Sequence, residues 1–208
     1  VRQVKKKRMR KVIVTVIMVL FLLGCATTPI SSYRPPYPLL KRFVSLAQEV
    51  RKCVAPDTFF AIRIVKMKEP NAWIIDDKIY FTESMFNLDD NTLKFIMAHE
   101  MSHGKLGHIT EIRTVSYVTT GAMMVVNVFV PGAGYLNHVI NPAVCNNYSK
   151  TQELEADKEA SKACLCLGIS IEQQVEILEN LRLTVKDGGG FWDRHPSWDD
   201  RIANIKAS

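Results

Sequence analysis

Residues 99 to 103 read His99-Glu100-Met101-Ser102-His103, two imidazoles four positions apart with a carboxylate directly after the first. On an α-helix, positions i and i+4 stand one turn apart on the same face, so both rings can reach one point. Neutral imidazole nitrogens bind zinc, and a catalytic zinc site takes three protein ligands so that water can hold the fourth position. A glutamate beside the first ligand can act on that water as general base, the chemistry of peptide-bond hydrolysis. Five residues do not establish such a site, because the same pattern arises on ordinary solvated helices. The rest of the chain has to supply a third ligand.

His108 lies five residues beyond His103, whereas a chain that turns back to offer a third histidine needs six, with glycine at the third position. Leu106 stands there instead, so His108 fits poorly. A carboxylate from a second helix is the other solution, as in sites of two histidines and one glutamate. Glu153-Leu154-Glu155-Ala156-Asp157 supplies it on a predicted helix downstream. Glu155, two positions from Glu153, projects elsewhere and reads as a solvated surface charge.

Two helices must position these groups. Leu93, Ile96, Met97, Met101 and Leu106 follow a helical period behind the helix-start chemistry of Asn87-Leu88-Asp89-Asp90-Asn91. Residues 150–168 and 170–185 predict two further helices, the first ended by Gly168, and Trp198 to Ala207 a short final one. Leu39 to Val54 has helical spacing as well. Phe59 to Val65, Trp73 to Ile75 and Lys78 to Thr82 read as strands, the last two joined by a tight turn at Asp76-Asp77. The expected fold class is α+β, mostly helical, with a small antiparallel sheet beside the helix of His99. Val115 to Ile140 is largely apolar but broken by Gly121, Pro131, Gly132 and Gly134. A buried helix, a cover over the site and a membrane-contacting surface all remain open for it, and His138 within it reads as a packing residue.

The ordered set His99-Glu100-x-x-His103, Glu153-x-x-Ala156-Asp157 and His195-Pro196 followed by Arg201-Ile202 resembles the gluzincin metallopeptidases of the HtpX and CAAX-prenyl-protease type, particularly their small periplasmic lipoproteins. The resemblance runs from about residue 40 to 206 and implies a zincin-like domain holding one Zn2+ per chain. By it, His99, His103 and Glu153 are the zinc ligands and Glu100 the base. Asp157, one turn after Glu153, accepts a hydrogen bond from a ligand imidazole and fixes its tautomer. His195 approaches the metal, holding its open position at rest or stabilising the oxyanion during turnover. Asn71 and Ala72, in Pro70-Asn71-Ala72-Trp73, match the edge strand that pairs with an extended peptide substrate.

At 208 residues the chain is long enough for one catalytic domain. It opens with a basic stretch, an apolar run from Val12 to Leu23, and then Leu22-Leu23-Gly24-Cys25. That order is the grammar of a secretory signal, and its end resembles the lipobox of bacterial lipoproteins, with Cys25 lipidated. Ala26 after the cysteine resembles lipoproteins sent to the outer membrane. The expected division is a signal peptide over 1–24, a lipid-anchored tether over 25–38 and a zinc metallopeptidase domain over 39–208. Residues 1–24 carry 7 of the 27 Lys and Arg and none of the 21 Asp and Glu, so the rest is nearly neutral and has no nucleic-acid footprint. Cys53, Cys145, Cys164 and Cys166 read as buried thiols, or as one disulfide such as Cys53 with Cys145. The expected activity is cleavage of misfolded or unassembled polypeptides in the periplasm, with those polypeptides and an envelope-assembly complex as the expected partners. A chaperone-like or adaptor lipoprotein with a latched or structural zinc site and little turnover is the alternative.

Overall fold

The computed structural model describes residues 33–68, 70–75, 77–112, 114, 148–184 and 197–208. Among these residues the architecture is α+β and mostly helical, with one three-stranded sheet. Helix α1 (Tyr37–Val54) starts with proline in its first turn and buries Phe43, Leu46, Ala47, Val50 and Val54, an apolar stripe at helical spacing. Its Phe43 ring meets Phe81 and Phe86 edge-on, with centroids 5.2 and 4.6 Å away. Helix α2 (Asp90–Lys105) begins where the Asp89 carboxylate accepts the Thr92 N–H at 3.0 Å. From Phe95 to His103 every residue of α2 is buried, so this helix carries His99, Glu100 and His103 into the interior.

Strands β1 (Ala61–Val65), β2 (Ala72–Ile75) and β3 (Lys78–Thr82) form a sheet in the order β1-β3-β2. The β2–β3 hairpin is antiparallel as expected, but β1 pairs with β3 in parallel, which corrects the all-antiparallel sheet to a mixed one. The reason is burial. Ile79, Phe81 and Thr82 of β3 are completely covered, so β3 takes the centre and the chain crosses from β1 to the far edge before turning back. Gly104 lets this sheet lie close on α2, because a Cβ there would stand 2.8 Å from the Phe60 ring and 3.0 Å from Ile74 Cδ1.

Helix α3 (Lys150–Cys166) starts in a capping box: Ser149 Oγ accepts the Gln152 N–H and Gln152 Oε1 accepts the Ser149 N–H. It ends before Gly168, whose φ of +80° is the left-handed conformation that glycine adopts without strain. Helices α4 (Ile171–Thr184) and α5 (Trp198–Lys206) follow, α5 capped by Ser197. Among the described residues no helix is long and apolar enough to cross a membrane. Cys25, Val115 to Ile140, Cys145 and His195 lie outside them.

The cysteines depart from expectation. Cys53 at the end of α1 bonds Cys166 at the end of α3, not Cys145, with Cα atoms 6.0 Å apart and 113 residues between them in sequence. Sequence separation hid this pairing, which arises because the two helices end side by side. Cys164 stays a buried free thiol, pushed up to about 12 by burial. A bridge closing so long a loop restricts the unfolded chain strongly, so Cys53→Ser should lower unfolding free energy by about 2–4 kcal/mol. Chemical denaturation of the oxidised protein and the variant measures this, and equal midpoints would exclude a stabilising bridge.

Candidate metal centre

Helix α2 supplies His99, Glu100 and His103, and the adjoining α3 supplies Glu153 and Asp157. The Nε2 atoms of His99 and His103 lie 3.1 Å apart. Glu153 places one carboxylate oxygen 3.3 Å from His99 Nε2 and the other 3.6 Å from His103 Nε2. None of the three side chains belongs to a residue more than 1 % exposed.

Behind each imidazole stands a different support. His99 Nδ1 is 2.9 Å from Asp157 Oδ1. Asp157 in turn accepts two hydrogen bonds from Arg201 of α5, Nε to Oδ2 at 2.8 Å and Nη2 to Oδ1 at 2.6 Å, with both residues buried. His103 Nδ1 is 2.9 Å from His108 Nδ1, and His108 Nε2 is 3.3 Å from Glu155 Oε2. Tyr148, just ahead of α3, stacks on the His103 ring with centroids 3.7 Å apart and planes 13° from parallel.

The electrostatics follow from this dry environment. Burial pushes Glu100 up to about 7, with Glu153 adding to the shift while His99, Arg201 and the Ile74 N–H oppose it. Burial alone would lower His99, but its hydrogen bonds to Asp157 and Glu153 outweigh that and raise it to about 9. For Asp157 burial works upward too, yet the Arg201 guanidinium, then His99, hold the carboxyl well below the usual range. Burial, together with the charges of Glu100 and Glu153, raises the Tyr148 phenol.

These residues fit a bound metal. Ionised Asp157 takes the Nδ1–H of His99, so once a metal displaces the second proton, the one on Nε2 facing Glu153, that nitrogen's lone pair is aimed toward His103 and Glu153. Ligand atoms of all three residues lie within 4.8 Å of one another. Electron-pair donors converging at a buried point repel one another unless a cation stands between them. Two imidazoles and one carboxylate are a donor set for a zinc-type divalent ion.

His99, His103 and Glu153 therefore come together as expected, with Asp157 on His99. Glu100 is buried beside them, and its Oε1 has no hydrogen-bond partner among the described residues. Glu155 is more than the expected surface charge: its side chain is 57 % exposed but reaches His108. Asn71 is half-buried at the start of β2, with its N–H donating to Thr82 Oγ1 at 2.9 Å and its C=O accepting the Thr82 N–H at 3.0 Å. Ala72 beside it is fully buried. Sequence reading gave no role to Arg201 or Tyr148. An arginine one position before Ile202, on the inward face of a short helix, was the available signal for the first. Tyr148 gave none.

Metalloprotease YcaL of Escherichia coli (strain K12) is 25 % identical over 155 residues, an alignment covering 69 % of this chain and 60 % of that protein. The chain thus spans about 60 % of the length of this curated relative. The family model of Peptidase family M48, a metallopeptidase family, matches residues 40–208, a span that includes α2, α3 and α5 with every group just placed around the three donors. On that match, the chain belongs to Peptidase family M48.

Proposed function

We propose that this protein is a zinc-dependent endopeptidase of the HtpX and CAAX-prenyl-protease type that cleaves misfolded or unassembled polypeptides of the bacterial cell envelope. The carrying observation is Glu100, a buried carboxyl beside two imidazoles and a second carboxylate, with one oxygen lacking a hydrogen-bond partner among the described residues. When bound, zinc supplies Lewis acidity, acidifying water and polarising a carbonyl oxygen. His99, His103 and Glu153 hold the ion, and Asp157 with Arg201 fixes the orientation of His99. Glu100, raised to about 7, is suited to take a proton from water at neutral pH and return it to the leaving amine. His195 is the oxyanion donor that the resemblance implies.

The proposed location is the periplasm, with Cys25 lipidated and the domain tethered to the outer membrane. The Cys53–Cys166 bridge supports an oxidising compartment. Partners in this reading are polypeptide substrates and an envelope-assembly complex rather than nucleic acid. Treatment with a chelator should abolish cleavage of an unfolded protein, and one equivalent of Zn2+, but not Mg2+, should restore it. Cleavage that survives complete metal removal defeats the proposal. Stoichiometric zinc with no cleavage of any unfolded protein would favour the chaperone-like or adaptor reading instead.

A further inference from the structure

We infer that His108 and Glu155 form a second support for the metal centre, a positioning relay that fixes His103 in the tautomer able to bind the ion. The inference rests on the metal reading above. The Nδ1 atoms of His103 and His108 are 2.9 Å apart, so one donates and the other accepts. For His103 to offer a lone pair from Nε2, the nitrogen that faces His99 and Glu153, its proton must sit on Nδ1. His108 Nδ1 is then the acceptor, and the single proton of neutral His108 falls on Nε2. That nitrogen is the one 3.3 Å from Glu155 Oε2, a carboxylate that can only accept. The three residues thus have one self-consistent assignment: His103 Nδ1–H to His108, and His108 Nε2–H to Glu155.

Stacking divides the remaining freedom of the His103 ring. Tyr148 lies flat against it and sets its plane, while His108 sets its rotation within that plane. The same two helices provide the relay and the ligands, because Glu155 is two residues from Glu153 on α3 and His108 follows α2 after Gly107, whose φ is +76°. His108 itself is 2 % exposed, so its ring has no competing water on most of its surface. The two ligand histidines are therefore supported unequally, His99 by an anion held in a buried arginine fork and His103 by a neutral ring that ends on a half-solvated carboxylate.

Histidine 15N NMR on the zinc-loaded, unsubstituted full chain tests the assignment directly. It should report His103 protonated at Nδ1 and His108 protonated at Nε2; His108 protonated at Nδ1 overturns the relay. Zinc affinity by chelator competition and the visible spectrum of the cobalt(II)-loaded protein provide the second arm. His108→Ala should weaken zinc binding by about 10–100-fold and change the cobalt(II) spectrum. His108→Asn, whose amide oxygen can accept from His103 Nδ1–H, should recover most of the affinity and the spectrum. A folded His108→Ala with the parental affinity and spectrum overturns the inference, as does a folded His108→Asn no better than His108→Ala. If the full chain binds no metal at His99, His103 and Glu153, the metal reading itself fails; metal bound there with the opposite tautomers sinks only the relay.

Discussion

Glu100→Gln should reduce turnover of an unfolded protein by about 10²–10⁴-fold, the usual contribution of a positioned general acid or base. Glutamine keeps the shape of the side chain and removes its capacity to take a proton. Zinc stoichiometry should stay at one per chain, because the ligand atoms belong to His99, His103 and Glu153. Stability should hold or rise. The native carboxyl sits in a buried position that disfavours its charged form, with one oxygen lacking a hydrogen-bond partner among the described residues. Such a group costs the fold stability and is retained for chemistry. The informative measurement is therefore a pair, turnover against melting temperature. A variant that stays folded and zinc-loaded but retains half the parental activity would remove Glu100 from the mechanism.

Arg201→Leu should lower unfolding free energy by about 3–5 kcal/mol, the range seen when one partner of a buried ion pair is removed. The loss is large because Asp157 would be left fully buried without the guanidinium that holds it ionised. Arg201→Lys should not rescue it, since a single ammonium cannot reproduce the two-pronged contact with both carboxylate oxygens. Zinc affinity should fall as well, because a protonated Asp157 no longer fixes His99 with its lone pair toward the metal. Combining Arg201→Leu with Asp157→Leu, which leaves no acceptor for the His99 Nδ1–H, separates the two effects. Stability should partly return once the stranded charge is gone, while zinc affinity stays low. A cost below about 1 kcal/mol for Arg201→Leu, the range of an exposed pair, would contradict the buried fork.

Periodicity and capping made the helices readable: residues 150–168 against the observed Lys150–Cys166, and a helix start within Asn87 to Asn91 against the observed Asp89 cap of α2. The cluster of His99, His103 and Glu153 was readable too, because the two histidines are local in sequence and Glu153 and Asp157 share one helical face. Pairings decided by packing were not. β1 lies beside β3 because β3 is the best-buried strand, and nothing in the residues of β1 dictates which neighbour it takes. Cys53 meets Cys166 because two helices end together. Arg201 stood in the Arg201-Ile202 pair, but its role became legible only when α5 brought it to Asp157, 44 positions earlier in the chain. Spacing made His108 a poor fit as a ligand, but its place against His103 and its contact with Glu155 depend on how the chain turns after Gly107, which spacing does not encode.

Helix α3 carries Glu153 in its first turn and Cys166 at its last residue, about 20 Å apart along one rigid rod at 1.5 Å per residue. The third metal donor and the covalent tie to α1 are therefore opposite ends of a single lever. Before oxidation, the far end of that lever is held by packing alone; afterwards it is anchored to a helix from the start of the domain. The Cys53–Cys166 bridge thus braces the same helix that presents Glu153 two nanometres away.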